Sequence, residues 1–173
     1  MGFYDKYILP RFIGAACGTK PIVKQREKVV PQCEGRVLEV GMGTGHNLEF
    51  YDADKVDMVF GLEPAPDMVK HAKPLAEKMP FKVEFIDLPG EEIPLEDNSV
   101  DTVLLTYTLC TIPDTLQAMQ NMRRVLKPGG KLIFSEHGRA PDAAVVKWQD
   151  RLNGVWGKIA GGCNMNREIP RLI

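Results

Sequence analysis

No charge of one sign dominates this sequence: 22 Lys and Arg stand against 23 Asp and Glu, a formal net charge of −1. A broad nucleic-acid footprint needs a clustered surplus of cations to neutralise phosphates, so no nucleic-acid partner is expected. Apolar runs near the roughly 20 residues that span a bilayer are also missing, which excludes a membrane-crossing helix. The four cysteines, Cys17, Cys33, Cys110 and Cys163, form no C-x-x-C pair and have no histidine at ligand spacing. That argues against a zinc site or other metal centre and for buried thiols or pocket linings. No cleavable leader, low-complexity tract or internal repeat is seen, and with unpaired thiols this points to a reducing, cytoplasmic setting.

What is present fits one ordinary globular domain. The 173 residues are 44% hydrophobic and 26% charged, enough for a single core. The stretch Phe3 to Ile13 is aromatic and basic. It either lies on a membrane surface, covers a pocket, or packs as a short helix on its own core. Pro21 to Val30 reads as a helix opened by proline. From Arg36 onward, β-rich runs alternate with helical windows. The strands are Arg36 to Val40, Met58 to Leu62, Lys82 to Ile86, Thr102 to Thr106 and Lys131 to Ser135. The helices are His46 to Tyr51, Asp67 to Lys78, Asp114 to Leu126 and Asp142 to Trp156, the last followed by Gly-rich Gly154 to Gly162. This alternation predicts an α/β fold with a parallel sheet. Lys127-Pro128-Gly129-Gly130 is expected to end a helix and launch the last strand.

The sharpest signal is Val37-Leu38-Glu39-Val40-Gly41-Met42-Gly43-Thr44-Gly45-His46-Asn47, an apolar strand running into a glycine-rich turn. Glycines there let the backbone pass close to a ligand. A dinucleotide fingerprint wants a glycine where His46 stands, which weakens a nicotinamide reading, as does the lack of a Tyr-x-x-x-Lys or comparable hydride-handling set. About 20 residues on, the next strand ends in Gly61-Leu62-Glu63-Pro64, where a carboxylate reaches ribose hydroxyls. Glu63 either does that or caps the following helix, for which Asp67 competes.

Leu38 to Gly45, Gly61-Leu62-Glu63, Asp97-Asn98-Ser99-Val100-Asp101 and Arg124 to Gly130 together resemble the type 11 methyltransferase domain family. The similarity covers about Glu34 to Glu136. Further on, Glu136-His137 and Gly162-Cys163-Asn164-Met165-Asn166-Arg167 resemble its methyltransferase-like 7 branch of small-molecule enzymes. The resemblance implies a class I, Rossmann-like three-layer domain over residues 34–173, with residues 1–33 as a helical segment covering the site. It implies S-adenosyl-L-methionine as cofactor and methyl transfer to a small-molecule acceptor. Glu39 is then expected to meet the methionine amino end through the loop, Gly41, Gly43 and Gly45 to make room for the methionine portion, and Glu63 to hold the ribose. Asn47, Pro64, Gly90, Glu91 and Thr106 complete the expected cofactor set. In Leu88-Pro89-Gly90-Glu91-Glu92, Pro89 stands where the family's usual Asp would edge the adenine. Backbone or Glu91 must then serve, unless Glu91 and Glu92 form only a solvated turn.

Methyl transfer from a sulfonium is an in-line displacement that mainly needs alignment and exclusion of water. A thiol acceptor needs no dedicated base, whereas an oxygen acceptor does. His137 is the best-placed base, with an ordinary surface histidine as the other reading. Tyr107, Cys110 and Trp148 are expected to shape the acceptor pocket, Trp148 alternatively being core. His46, near a cationic sulfonium, is assigned structure rather than base duty. The family's sheet has seven strands, and two are missing here. A truncated chain or a covering partner would account for that, so dimerisation is expected at the exposed sheet edge. A non-catalytic cofactor-binding module is the competing reading.

Overall fold

The sheet is parallel and covered on both faces at its centre, where the runs Val37 to Val40, Val59 to Leu62 and Thr102 to Thr106 are buried throughout. In the computed structural model, which describes residues 17–173, the strands are β1 (Gly35–Val40), β2 (Val56–Leu62), β3 (Lys82–Ile86), β4 (Val100–Thr106) and β5 (Leu126–Ser135). Their order is β3-β2-β1-β4-β5, all parallel. The helices are α1 (Lys20–Val29), α2 (Pro66–Ala76), α3 (Thr115–Val125) and α4 (Ala143–Ile159). None of the described helices is long and apolar enough to cross a membrane. The stretch Phe3 to Ile13 lies outside the described residues.

Alternation along the central strands splits the core in two. Leu38 and Val40 join Phe60, Leu62, Val103, Leu105, Ala118 and Met122 on one face. Val37 points the other way, into a cluster with Val30, Cys33, Val59, Ala72 and Leu104. The strand order turns back between β1 and β4, and open α/β sheets bind ligands beyond the carboxyl ends of the strands at such a point.

Several local expectations change. The window His46 to Tyr51 holds no α-helix, only turns and a 3₁₀ turn at Leu48–Phe50, because Asn47 and Tyr51 turn inward to hydrogen-bond a buried carboxylate. Asp67 is not a cap: α2 starts at Pro66, with Ala65 as N-cap residue and no capping side chain. β5 begins at Leu126, so Lys127 to Gly130 belong to the strand. They form a bulge, with Val100 opposite Leu126 and Thr102 opposite Lys131, and Gly129 supplies the φ of +80°. Gly154 and Gly157 lie inside α4.

Two of the family-like motifs meet at the end of the sheet away from the strand carboxyl ends. Arg124 donates to Asp97 Oδ1 at 2.7 Å and to the carbonyls of Leu95 and Ile93. Lys127 reaches Asp101 Oδ1 at 2.6 Å, and Asp101 Oδ2 accepts from the Arg36 amide at 2.9 Å. Their role is to fasten α3 and β5 to β4.

Candidate functional site

The carboxyl ends of β1, β2 and β4 and the loop after β3 surround a cavity of about 350 Å³. Gly41 and Gly43 from the glycine turn line it, as do Glu63 and Pro64 after β2, Gly90 and Glu91 after β3, and Thr106 and Tyr107 at the end of β4. Eight of the expected residues are thus brought to one space by a single topological feature.

The glycine turn is held open by a carboxylate. Glu63 Oε2 accepts from the Gly43 amide at 2.9 Å and Oε1 from the Ala65 amide at 3.0 Å. Burial pushes its carboxyl above the ordinary value, and these two amides oppose the rise. Gly43 has φ of +59°, and among the described residues a Cβ placed on it would meet nothing within 4 Å, so this side of the turn opens onto the cavity. Gly45 differs: its Cβ would stand 2.9 Å from Leu48 and 3.2 Å from Ala72. It allows α2 to pack and does not line the cavity.

Behind the glycine turn lies a polar hub that the sequence did not announce. Arg26, on α1 and 5% exposed, donates through Nη1 to Asn47 Oδ1 at 2.5 Å and Thr106 Oγ1 at 2.8 Å. Asn47 Nδ2 donates to Glu39 Oε1 at 2.8 Å and to Thr106 Oγ1 at 3.0 Å, and Tyr51 O–H donates to Glu39 Oε2 at 2.7 Å. Burial pushes Glu39 up to about 6, against the pull of Tyr51, Asn47 and Arg26. Glu39 and Asn47 are 1% and 0% exposed and do not line the cavity. They are hydrogen-bonded behind it, Asn47 joining Glu39 to Arg26, which does line it. Among the described residues, Arg26 Nε is buried without a hydrogen-bond partner, and so is Glu91 Oε2. The other Glu91 oxygen accepts from the Asp114 amide at 3.0 Å.

The expected acceptor residues divide. Tyr107 lines the cavity in a positive-φ conformation of 59°, with its amide bonded to Ser135 O at 2.9 Å. A non-glycine residue holds such a conformation only where its surroundings fix it. Arg26 lies over its ring, Cζ to centroid 5.5 Å. His137 stacks against Tyr107 at 6.2 Å between centroids. It does not line the cavity, and its Nε2 lies 3.5 Å from Cys163 Sγ, a contact that raises the imidazole's pKa. Cys110 is 1% exposed and also lies behind the wall. Trp148 is neither roof nor core: 60% exposed, it sits on the outer face of α4 under Arg151, 5.6 Å from its ring centroid. Glu136 Oε1 accepts from the amides of Thr108 at 2.8 Å and Leu109 at 3.2 Å, shaping the turn after β4. Burial pushes Glu136 up to about 7.

The sequence profile of the methyltransferase domain family matches residues 38–134, from the middle of β1 to β5. The chain belongs to that family. It is 39% identical over 140 residues to thiol S-methyltransferase TMT1B of Rattus norvegicus, covering 78% of this chain and 56% of the relative. It is 38% identical over 136 residues to the Homo sapiens protein of the same name, covering 76% and 55%. The chain thus spans a little over half the length of these curated relatives. Among solved structures, the YcgJ protein of Bacillus subtilis superposes with a TM-score of 0.70 at 25% identity, covering 86% of this chain and 63% of that one. A SAM-dependent methyltransferase of Thermotoga maritima gives 0.63 at 22%, covering 96% and 77%. The fold is the Rossmann-like one of S-adenosylmethionine-dependent methyltransferases, and the nicotinamide alternative falls with that assignment.

Proposed function

We propose that this methyltransferase-family chain binds S-adenosyl-L-methionine in the cavity at the strand carboxyl ends and transfers its methyl group to a small thiol. The observation that carries the reading is the pairing of an open glycine turn with two buried polar atoms lacking partners, Arg26 Nε and Glu91 Oε2. Buried polar groups are otherwise almost always satisfied, so these two fit a ligand that is anionic at one end and offers a donor at the other.

The residues divide the work by charge. Arg26 would take the methionine carboxylate, and Gly41 and Gly43 would let the backbone approach the methionine portion. Glu63 retains acceptor capacity for ribose hydroxyls beyond its two amide bonds. Glu91, with the backbone at Pro89 and Gly90, would accept from the adenine amino group. The bound cofactor supplies a methyl group on a positively charged sulfur, open to in-line displacement. Tyr107 and Thr108 would border the acceptor and exclude water. His137 stacks on Tyr107 and does not line the cavity, so the reading gives it no base role, and an acceptor that ionises near neutral pH suits this arrangement best. The names of the rat and human relatives support a thiol.

Homodimerisation extends the reading. The stripe Val145, Trp148, Leu152, Val155 and Ile159 on α4 is exposed, as is Phe134 on the edge strand β5. An exposed apolar helix stripe and an exposed sheet edge each favour association.

Calorimetric titration with S-adenosylmethionine and S-adenosylhomocysteine tests the core of the proposal, with NAD as control. Binding of both sulfur compounds, weakened by Glu63→Ala and absent for NAD, is the expected result. Folded protein that binds neither would refute it. Turnover of thiols and not phenols in an acceptor panel then supports the thiol, and binding without turnover leaves a non-catalytic module.

A further inference from the structure

Apart from the cofactor cavity, three side chains from distant segments converge. Cys110 lies in the turn after β4, His137 follows β5, and Cys163 lies in the loop after α4. Their ligand-capable atoms all stand within 4.8 Å of one another. Two thiols and an imidazole form the soft donor set that selects zinc among the common divalent ions. With typical zinc bond lengths, adjacent sulfur and nitrogen ligands of a tetrahedral ion stand roughly 3.6 Å apart, against 3.5 Å for Cys163 Sγ and His137 Nε2.

The surroundings hold this arrangement independently of the sulfurs. The Asn164 amide and Nδ2 both donate to Cys110 O, at 2.9 and 3.1 Å. Arg167 Nη1 donates to the carbonyls of Leu109 and Ile112. Both cysteines are buried, whereas His137 is exposed. Glu136, adjacent to His137, keeps a buried Oε2 without a hydrogen-bond partner among the described residues.

We propose that Cys110, His137 and Cys163 bind one zinc ion, with the fourth position left to water. Coordination takes both cysteines as thiolates, whose protons pass to solvent, and their two charges balance the ion. The site goes beyond methyl transfer: it clamps the loop after α4, whose Gly161 lines the cavity, to the ends of β4 and β5. The even scatter of cysteines hid it, because the ligands meet only in the folded sheet.

The test uses the full chain, reduced and stripped with a chelator, titrated with zinc against a chromophoric competitor. One equivalent should bind, and cobalt in its place should give thiolate-to-metal charge-transfer absorption. Cys110→Ser and Cys163→Ser should each weaken zinc by at least about 10- to 100-fold, the loss typical of removing even an outer-shell partner, while Cys33→Ser, in the core cluster with Val30, should not. Lack of stoichiometric zinc in folded, reduced protein would overturn the proposal, as would unchanged affinity in both serine variants. So would a Cys110–Cys163 disulfide in the untreated protein with no zinc uptake after reduction. Titration of the same samples with S-adenosylmethionine reads the cofactor site separately, so either proposal can fail alone.

Discussion

Arg26 is the residue on which the site turns, and it illustrates what a linear motif omits. Nothing in Lys24-Gln25-Arg26-Glu27 separates this arginine from its solvated neighbours; only docking of α1 reveals it as a buried cation. Arg26→Ala should leave Asn47 Oδ1 without its donor and Thr106 Oγ1 with that of Asn47 alone, at a stability cost on the order of 2 kcal/mol. It should also weaken S-adenosylmethionine at least about tenfold by calorimetry, because a charge-assisted contact is removed. The glycines were legible, but their division of labour was not. Gly43→Ala should cost only about 1–2 kcal/mol for its left-handed backbone, since space exists for the methyl, yet cofactor affinity should fall much further. Equal losses in stability and affinity would assign Gly43 to packing.

Glu39 makes a pH prediction. Its carboxyl lies at about 6 in the folded chain against an ordinary 4.5, so the folded state holds the proton more tightly. The resulting stabilisation is full below pH 4.5 and is lost as pH rises through 6. That difference corresponds to about 2 kcal/mol. Urea unfolding of the ligand-free protein across this range should show stability falling with pH, and the fall should be shallower in Glu39→Gln. Glu136, raised by burial to about 7, acts in the same direction and leaves the residual slope.

At the scale of elements, period was the reliable signal, whereas the N-cap read at Asp67 is not one. Asp114 accepts from the Gln117 amide at 3.0 Å and Asp142 from Ala144 at 2.7 Å, and both helices begin where those residues predicted. Asp114→Ala should cost about 1 kcal/mol in thermal or urea unfolding and leave cofactor binding unchanged. The failures came where side chains overrode local pattern. The apolar spacing of Leu48, Phe50 and Tyr51 resembles a helix, yet Tyr51 and Asn47 are recruited to Glu39 and the chain turns. Trp148 looked like core or pocket because it lies in an amphipathic pattern, but α4 buries none of its residues. Its apolar stripe has no counterpart among the described residues.

The whole molecule is best read through that stripe and through the two ends of the sheet. If α4 and the β5 edge associate between copies, light scattering should show mass rising with concentration. A Trp148→Glu and Val155→Lys double substitution should return the protein to monomer with its cofactor affinity intact. The two sheet ends explain why the resemblance was legible while the site was only partly so. Half of the motifs that carry it, around Asp97 to Asp101 and Arg124 to Gly130, fasten strands far from the cavity. They identify the family through its scaffold. The binding end depends on residues that meet from separate segments, which spacing along the chain does not record.

The hub around Arg26 also bears on the order in which the molecule assembles. It ties α1 to Asn47, 21 residues on, and to Thr106, 80 residues on. Closing such spans costs chain entropy before any contact rewards it. The pairing of β1 with β2, Gly35 opposite Val56 and Val40 opposite Leu62, closes a far shorter span than the one to Thr106 and buries apolar surface at once. The hub is therefore expected to form late in folding: substitutions at Arg26 should accelerate unfolding and leave the refolding rate nearly untouched. A chain with a finished sheet and an unfinished pocket would then precede the native state.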